Sequence, residues 1–281
     1  MINKNSYPKF SMLLSVYKRD NVDFLNECIE SIFNQTIFPD EILIIQEGDV
    51  SKELTSVLDF WIQKFNGILK VYKIPFQNGP MGFGLPASLN YGISVANYEY
   101  IARMDTDDIC VTNRIEIQKK YAYENPEVSL FGSNIEEYDQ YMIKKTGNRN
   151  VPYNHSEIIK YSKYRNAFNG PTVVFKKNIA IKLGGYPIVA SNEDYCFWAL
   201  FILNNYKITN QDYNLVKMRG GDEILHRRSS KRYRQGEVDS LLFLKNINFF
   251  SQKMFIFHLI SKFFIRRMPL FFIRKIYKRL R

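Results

Sequence analysis

Cysteine is scarce and poorly placed for cross-linking. Cys28, Cys110 and Cys196 are odd in number and far apart, with neither metal-ligand spacing nor a disulfide framework, which suits a reducing cytosol. No segment reaches the roughly 18 uninterrupted apolar residues that a bilayer span needs. The opening M-I-N-K-N-S-Y-P-K-F lacks the apolar run of a signal peptide. Internal repeats, low-complexity segments and Ser/Gly linkers are all missing. Acid is missing from one region only. Residues 245–281 carry ten Lys or Arg and no Asp or Glu. Taking those ten from the 39 basic residues leaves 29 against 28 acids in residues 1–244, so a net charge of +11 resides almost wholly in the C-terminal segment.

What is present is a chain of 281 residues rich in Phe (22) and Tyr (19), long enough for one large or two small domains. Short apolar runs at Phe10–Tyr17, Glu41–Ile45, Ile68–Ile74 and Tyr100–Met104 read as buried strands. Helical stripes at Asp23–Gln35, Leu54–Phe65 and Ala87–Ala96 separate them, the last preceded by a Gly/Pro-rich loop at Asn78–Pro86. Strand and helix in strict alternation predict a parallel sheet wrapped by helices. Right-handed crossovers then collect Tyr17–Arg19, Gln46–Asp49 and Asp105–Asp108 at one edge. The second half is less regular: a helix is expected at Arg114–Tyr123, a strand at Val128–Tyr138, and a strongly apolar helix after Asn192-Glu193-Asp194.

The stretch Tyr100–Ile109, Y-I-A-R-M-D-T-D-D-I, organises the rest. Its three carboxylates within four residues repel one another and need a compensating charge. Hard divalent cations use such oxygens together with substrate phosphates. On its own D-T-D-D also suits a solvated turn, with Asp108 as a helix N-terminal charge, and Asp194 likewise suits the first turn of the helix it opens.

The order of pieces resembles glycosyltransferase family 2 with the GT-A fold, particularly bacterial exopolysaccharide and O-antigen transferases of the amylovoran-synthesis type. Four stretches carry the resemblance: S-V-Y at 15–17 with E-S-I-F-N-Q-T at 30–36; L-P-A-S-L-N-Y-G-I at 85–93 leading into the Asp cluster and R-I-E-I-Q at 114–118; P-T-V-V-F-K-K at 171–177 with G-G-Y at 184–186; and N-E-D-Y-C-F-W at 192–198 with V-K-M-R at 216–219. The resemblance implies a GT-A (Rossmann-like) α/β fold, its mostly parallel sheet flanked by helices. It spans residues 1–235, with a nucleotide-sugar half at about 1–110 and an acceptor half at about 111–235.

The same resemblance assigns roles. Asp105 and Asp107 match the D-x-D motif that holds the donor's ribose and a diphosphate-bound Mn²⁺ or Mg²⁺, with Asp107 the direct ligand. Ser15, Val16 and Tyr17 line the nucleobase pocket. Glu47 stands where an Asp is usual, which lengthens that acid by a methylene and loosens the inference about the base. Asn90 and Arg103 support the donor side, and Asp194 is the general base of an inverting transfer. The expected donor is a UDP-sugar and the expected acceptor a saccharide or a polyprenyl-diphosphate-linked saccharide. No His stands where the family often has a further metal contact; His226 lies four to five residues later, beside Arg227, Arg228, Lys231 and Arg232, which suit diphosphate oxygens or simply a basic loop.

Residues 236–281 form a basic, aromatic-rich helical segment that Pro269 divides. Such composition suits the membrane interface, where cations meet anionic lipid. The expectation is a cytoplasmic protein peripheral on the inner face of the membrane. No nucleic-acid module is present. Two other readings compete: a nucleotidyltransferase, against which Leu13–Asn21 lacks a Gly-rich phosphate loop, and a non-catalytic membrane-surface scaffold.

Overall fold

The computed structural model describes residues 6–76, 84–220 and 230–265. Strands β1 (Phe10–Tyr17), β2 (Glu41–Glu47), β3 (Leu69–Ile74) and β4 (Tyr100–Arg103) alternate with helices α1 (Val22–Phe33), α2 (Lys52–Lys64) and α3 (Gly84–Val95). The second half adds β5 (Ile109–Cys110), α4 (Arg114–Glu124), β6 (Leu130–Tyr138), β7 (Lys145–Arg149), α5 (His155–Tyr161), β8 (Val174–Lys176), α6 (Lys177–Lys182), α7 (Glu193–Leu203) and β9 (Ile208–Arg219). Helices α8 (Lys231–Asn246) and α9 (Gln252–Ile265) follow.

The strands form one sheet in the order β3-β2-β1-β4-β8-β6-β9-β5, with β7 on β6. It is parallel across β3-β2-β1-β4, and this half carries the expected α/β alternation. Beyond β4 it turns mixed: β8 runs antiparallel to both β4 and β6, whereas β9 runs parallel to β6.

Strand β1 reads as continuously apolar because both faces are covered. Met12, Leu14 and Val16 pack with Ile42 and Ile44 against α1 and α2 through Leu25, Ile29, Leu54 and Leu58. Leu13 packs on the opposite side with Leu43, Ile45, Leu89 and Ile93, in the same core as Phe175, Phe197 and Trp198. Caps set the helix starts: Asn21 Oδ1 accepts from the Asp23 and Phe24 amides, and Ser51 Oγ accepts from the Leu54 amide. The Trp61 indole N–H donates to Asn26 at 2.9 Å and ties α2 to α1.

Two features depart from the sequence expectation. Strand β9 is twelve residues long, although only its V-K-M-R end carries a signal. Its polar start is anchored from the side: Asn210 Nδ2 donates to the Pro152 and Ala167 carbonyls at 2.7 and 3.0 Å. Packing also continues across residue 235. Leu241 and Leu244 of α8, then Phe249, Phe250 and Phe255, belong to the core that contains Trp198. Among the described residues no helix is long and apolar enough to cross a membrane. Residues 78–83 of the Gly/Pro-rich loop, His226 with Arg227 and Arg228, and Pro269 lie outside the described residues.

Candidate active site

Strand β4 ends where its apolar residues end, and a buried arginine fixes that end. Arg114 Nη2 donates to the Arg103 carbonyl at 2.7 Å, Nη1 reaches Met104 Sδ at 3.0 Å, and Nε donates to Gln118. Gln118 in turn donates to the Thr172 carbonyl at 2.7 Å. The R-I-E-I-Q stretch is therefore a clamp behind the Asp loop, with no carboxylate of its own in the site.

From the front, Arg219 at the end of β9 holds the same loop. Its amide donates to Asp108 Oδ1 at 2.8 Å and its Nε to the Asp107 carbonyl at 2.9 Å, while its remaining nitrogens reach Gln140 and Glu27. Asp108 is thereby a buried, structural acid. Burial, then the charges of Asp107 and Asp105, hold its carboxyl well above the usual range. Asp107 itself is exposed at the sheet edge.

Asp20 joins them from the end of β1, accepting from the Tyr17 amide at 3.1 Å and the Thr106 hydroxyl at 3.3 Å. Burial, with added repulsion from Asp107 and Asp105, pushes it up to about 7. Burial is the main cause of that shift and the neighbouring acids add to it, so at neutral pH Asp20 can hold a proton beside the Asp loop. Among the described residues no group of three or more His, Cys, Asp or Glu could hold a metal. A hard cation can also be held by one or two carboxylates with its other oxygens supplied by a diphosphate, and Asp107 and Asp105 are the carboxylates present at this edge for such a contact.

Most of the residues expected to face a donor lie at or near this edge. Tyr17 and Glu47 are partners across β1 and β2. Tyr17 is exposed and Ser15 half-buried, whereas the Val16 side chain lies wholly in the core, so only its backbone can border a nucleobase. Glu47 is buried beneath the start of α3. A Cβ on Gly84 would stand 1.8 Å from its Oε2, so only glycine lets the helix end approach this carboxylate. Asn90 is used otherwise: its Oδ1 accepts from the Tyr186 amide at 2.7 Å and its Nδ2 donates to the Tyr186 carbonyl at 2.9 Å. It fixes the G-G-Y turn beside Arg103.

On the opposite side, Asp194 sits in the first turn of α7, entered through Asn192 at φ 54°. Asp194 Oδ1 accepts from the Tyr195 amide at 2.7 Å, and Oδ2 accepts from Asn166 Nδ2 at 2.9 Å. Arg149 positions the Asn166 loop by donating to the Asn166 and Phe168 carbonyls. Asp20 and Asn166 carried no separable signal in the sequence, because each acts through partners more than 25 residues away or on a backbone group; Arg219 closes the V-K-M-R stretch, but its hold on the Asp loop, 112 residues away, was not legible there.

Arg103 links the two sides. Its buried guanidinium pairs with Asp105 at 2.7 Å. A Cβ on Gly170 would fall 2.4 Å from its Nη1 and 3.2 Å from Asp194 Oδ2, so the Gly170 backbone lies close against both the guanidinium and the Asp194 carboxylate. Burial opposes the Arg103 charge, but Asp105, Tyr186, Glu193 and Asp194 around it more than offset that. Arg103 Nε and the Tyr186 hydroxyl are buried without a partner among the described residues.

Glu193 is pushed up to about 7 from 4.5 by burial, then by Asp194 and Asp105, with Arg103 pulling the other way. Below pH 4.5 it is protonated folded or unfolded; between 4.5 and about 7 the folded state alone keeps the proton, so its contribution to stability falls as pH rises and is constant above 7. Glu193→Gln is therefore expected to match the wild type near pH 4 and to exceed it by about 1–3 kcal/mol near pH 8. Urea unfolding at both pH values checks this; equal offsets at the two would show that the carboxyl does not titrate there.

A family model described as "Glycosyl transferase family 2" matches residues 11–182. The chain is similar to UDP-Gal:alpha-D-GlcNAc-diphosphoundecaprenol beta-1,3-galactosyltransferase of Escherichia coli, 35% identical over 277 residues that cover 97% of this chain and 96% of that one. It is 31% identical to amylovoran biosynthesis glycosyltransferase AmsE of Erwinia amylovora over 82% of this chain and 83% of that one. Among solved structures it resembles the mannosyltransferase PcManGT of Pyrobaculum calidifontis in complex with GDP-Man and Mn²⁺, with a TM-score of 0.63 at 14% identity over 88% of this chain and 66% of that one.

Proposed function

Since this chain belongs to glycosyl transferase family 2 and is a glycosyltransferase, we propose that it transfers galactose from UDP-galactose to a lipid-diphosphate-linked saccharide, with inversion, in the synthesis of a bacterial surface polysaccharide. One observation carries this reading. The D-T-D-D carboxylates and the Asp194 carboxylate lie on either side of one buried guanidinium, Arg103, at the carboxyl edge of the parallel strands. The similarity to a UDP-galactose enzyme over nearly the whole chain supports the donor.

Each side has its work. Tyr17, Ser15 and the Val16 backbone border the base, with Glu47 beside them for the ribose. Asp107, with Asp105 next to it, would hold Mn²⁺ or Mg²⁺, which when bound neutralises charge on the departing diphosphate. Arg103 keeps Asp105 in place and keeps a positive charge between the two acid groups. Asp194, its orientation set by Asn166 and the Tyr195 amide, takes the proton of the acceptor hydroxyl as that oxygen attacks the anomeric carbon from the side away from the diphosphate. A single displacement of this kind inverts the carbon. The proposed division is a transferase unit over 1–235 and a C-terminal segment at the membrane, the two joined by α8 and α9, which pack on the same core.

Calorimetric titration with UDP, GDP and CDP, each with Mn²⁺ and then EDTA, tests the donor side. UDP is expected to bind with Mn²⁺ and to weaken about tenfold or more with EDTA. Asp107→Ala is expected to show the weakened affinity in either buffer. Tighter GDP than UDP binding, or no effect of EDTA or of Asp107→Ala, would overturn the assignment. Turnover of UDP-galactose with a synthetic GlcNAc-diphosphate-lipid tests the rest; turnover of another UDP-sugar in preference would replace the sugar and leave the mechanism.

A further inference from the structure

Helix α9 has two unlike faces. Inward, Phe255 and His258 are buried, and Met254 and Leu259 pack on the core. His258 Nε2 donates to the Lys163 carbonyl at 2.8 Å, and its ring stacks on Phe250. Lys262 pairs at 2.7 Å with Glu237 of α8. These contacts fix the rotation of the helix about its axis. Outward, Ile256 (45% exposed), Phe257 (54%), Ile260 (52%) and Phe264 (60%), with Phe263 beside them, recur at steps of three and four and form one apolar stripe.

We infer that this outward stripe is a docking surface for an anionic lipid bilayer. The charge pattern decides between occupants. Lys253 is exposed on α9, and residues 266–281 immediately beyond carry seven Lys or Arg and no acid. A second copy meeting the same face would bring like charges together, whereas anionic headgroups complement them while the aromatic side chains enter the acyl boundary. Four large apolar side chains aligned on one exposed helix face exceed the scattered exposure ordinary for a soluble surface.

The inward face says what such docking would achieve. Lys163 is held twice over: its carbonyl by His258 of α9, and its ammonium by the Phe249 carbonyl in the turn that leads into α9, at 2.6 Å. Three residues further on, Asn166 supports Asp194. The lipid-facing helix and the base therefore share one short loop, so a docked α9 sets the acceptor side of the site at the membrane surface. This inference rests on the proposed lipid-linked acceptor for its purpose, though not for its geometry.

The test is co-sedimentation of the full chain with phosphatidylcholine vesicles made with or without phosphatidylglycerol. The wild type is expected to bind the anionic vesicles and to be released by salt. The triple variant Phe257→Ser, Ile260→Ser, Phe264→Ser, all exposed positions whose loss leaves the core intact, is expected to bind about tenfold or more weakly, with an unchanged thermal transition and unchanged UDP affinity. Equal binding by variant and wild type would overturn the proposal. So would a wild-type dimer by light scattering that the triple variant dissociates, since a second copy would then cover the stripe. Vesicle binding lost in the variant but no turnover of a lipid-linked acceptor would strike the acceptor reading and leave the surface standing.

Discussion

Replacing Asp194 by Asn is expected to lower kcat about 10³-fold while leaving UDP affinity unchanged. The substitution is nearly isosteric, and the amide oxygen can still accept from the Tyr195 amide or from Asn166, the two donors that orient the native side chain. What it loses is the capacity to receive a proton. The donor side is spared because Asp105 and Asp107 lie across Arg103 from it. Single-turnover rates with saturating UDP-galactose, set beside calorimetric UDP binding, separate the two effects. A loss of kcat below about tenfold would move the base elsewhere, and Glu193 would be the first alternative, since it neighbours Asp194 and holds its proton up to about pH 7. A parallel loss of UDP affinity would mean that the substitution disturbs Arg103 rather than proton transfer. Any clear dependence of turnover on Asp194 also argues against a non-catalytic scaffold.

The first half of the fold was legible because its strands are buried on both faces and its helices on one. Leu13 and Leu14 face opposite cores, yet both must be apolar, so F-S-M-L-L-S-V-Y reads as a strand without any tertiary knowledge. The second half gives up that contrast. Strand β9 begins I-T-N-Q-D-Y-N; its Asn210 is buried on the carbonyls of residues 152 and 167 and its exposed Asp212 accepts from Asn134, partners that no local pattern announces. Register shifts between β6 and β9 at Ser133–Ile135 further break the alternation that would mark a strand. The site divides the same way. Asp105, Asp107 and Asp194 stand in short motifs whose chemistry is local. Asp20 became visible only when β1 and β4 were side by side, and Arg219 only when β9 was found to close over the Asp loop. Asn90, although expected at the donor side, spends both ends of its amide on the Tyr186 backbone, a use that depends on a residue 96 positions away.

Arg103→Met is the substitution expected to cost the fold most, about 3–5 kcal/mol. The side chain is buried and Met fills much of its volume, so the loss is chiefly of charge. Without it, Asp105 loses an ion pair at 2.7 Å, and Glu193 and Asp194 lose the cation that lies between them and Asp105. Glu193, which burial and Asp194 already hold at about 7 against the pull of Arg103, then keeps its proton more tightly still. The sign follows: that carboxyl binds its proton more tightly folded than unfolded, and more so in the variant, so the deficit relative to wild type is largest near pH 8 and shrinks as pH falls below about 7. Urea unfolding of both proteins across that range is the measurement. A deficit independent of pH would assign Arg103 a packing role. A deficit that closes on acidification, together with UDP binding restored in Arg103→Lys but not in Arg103→Met, would identify the guanidinium as the charge that allows donor-side and acceptor-side acids to occupy one site.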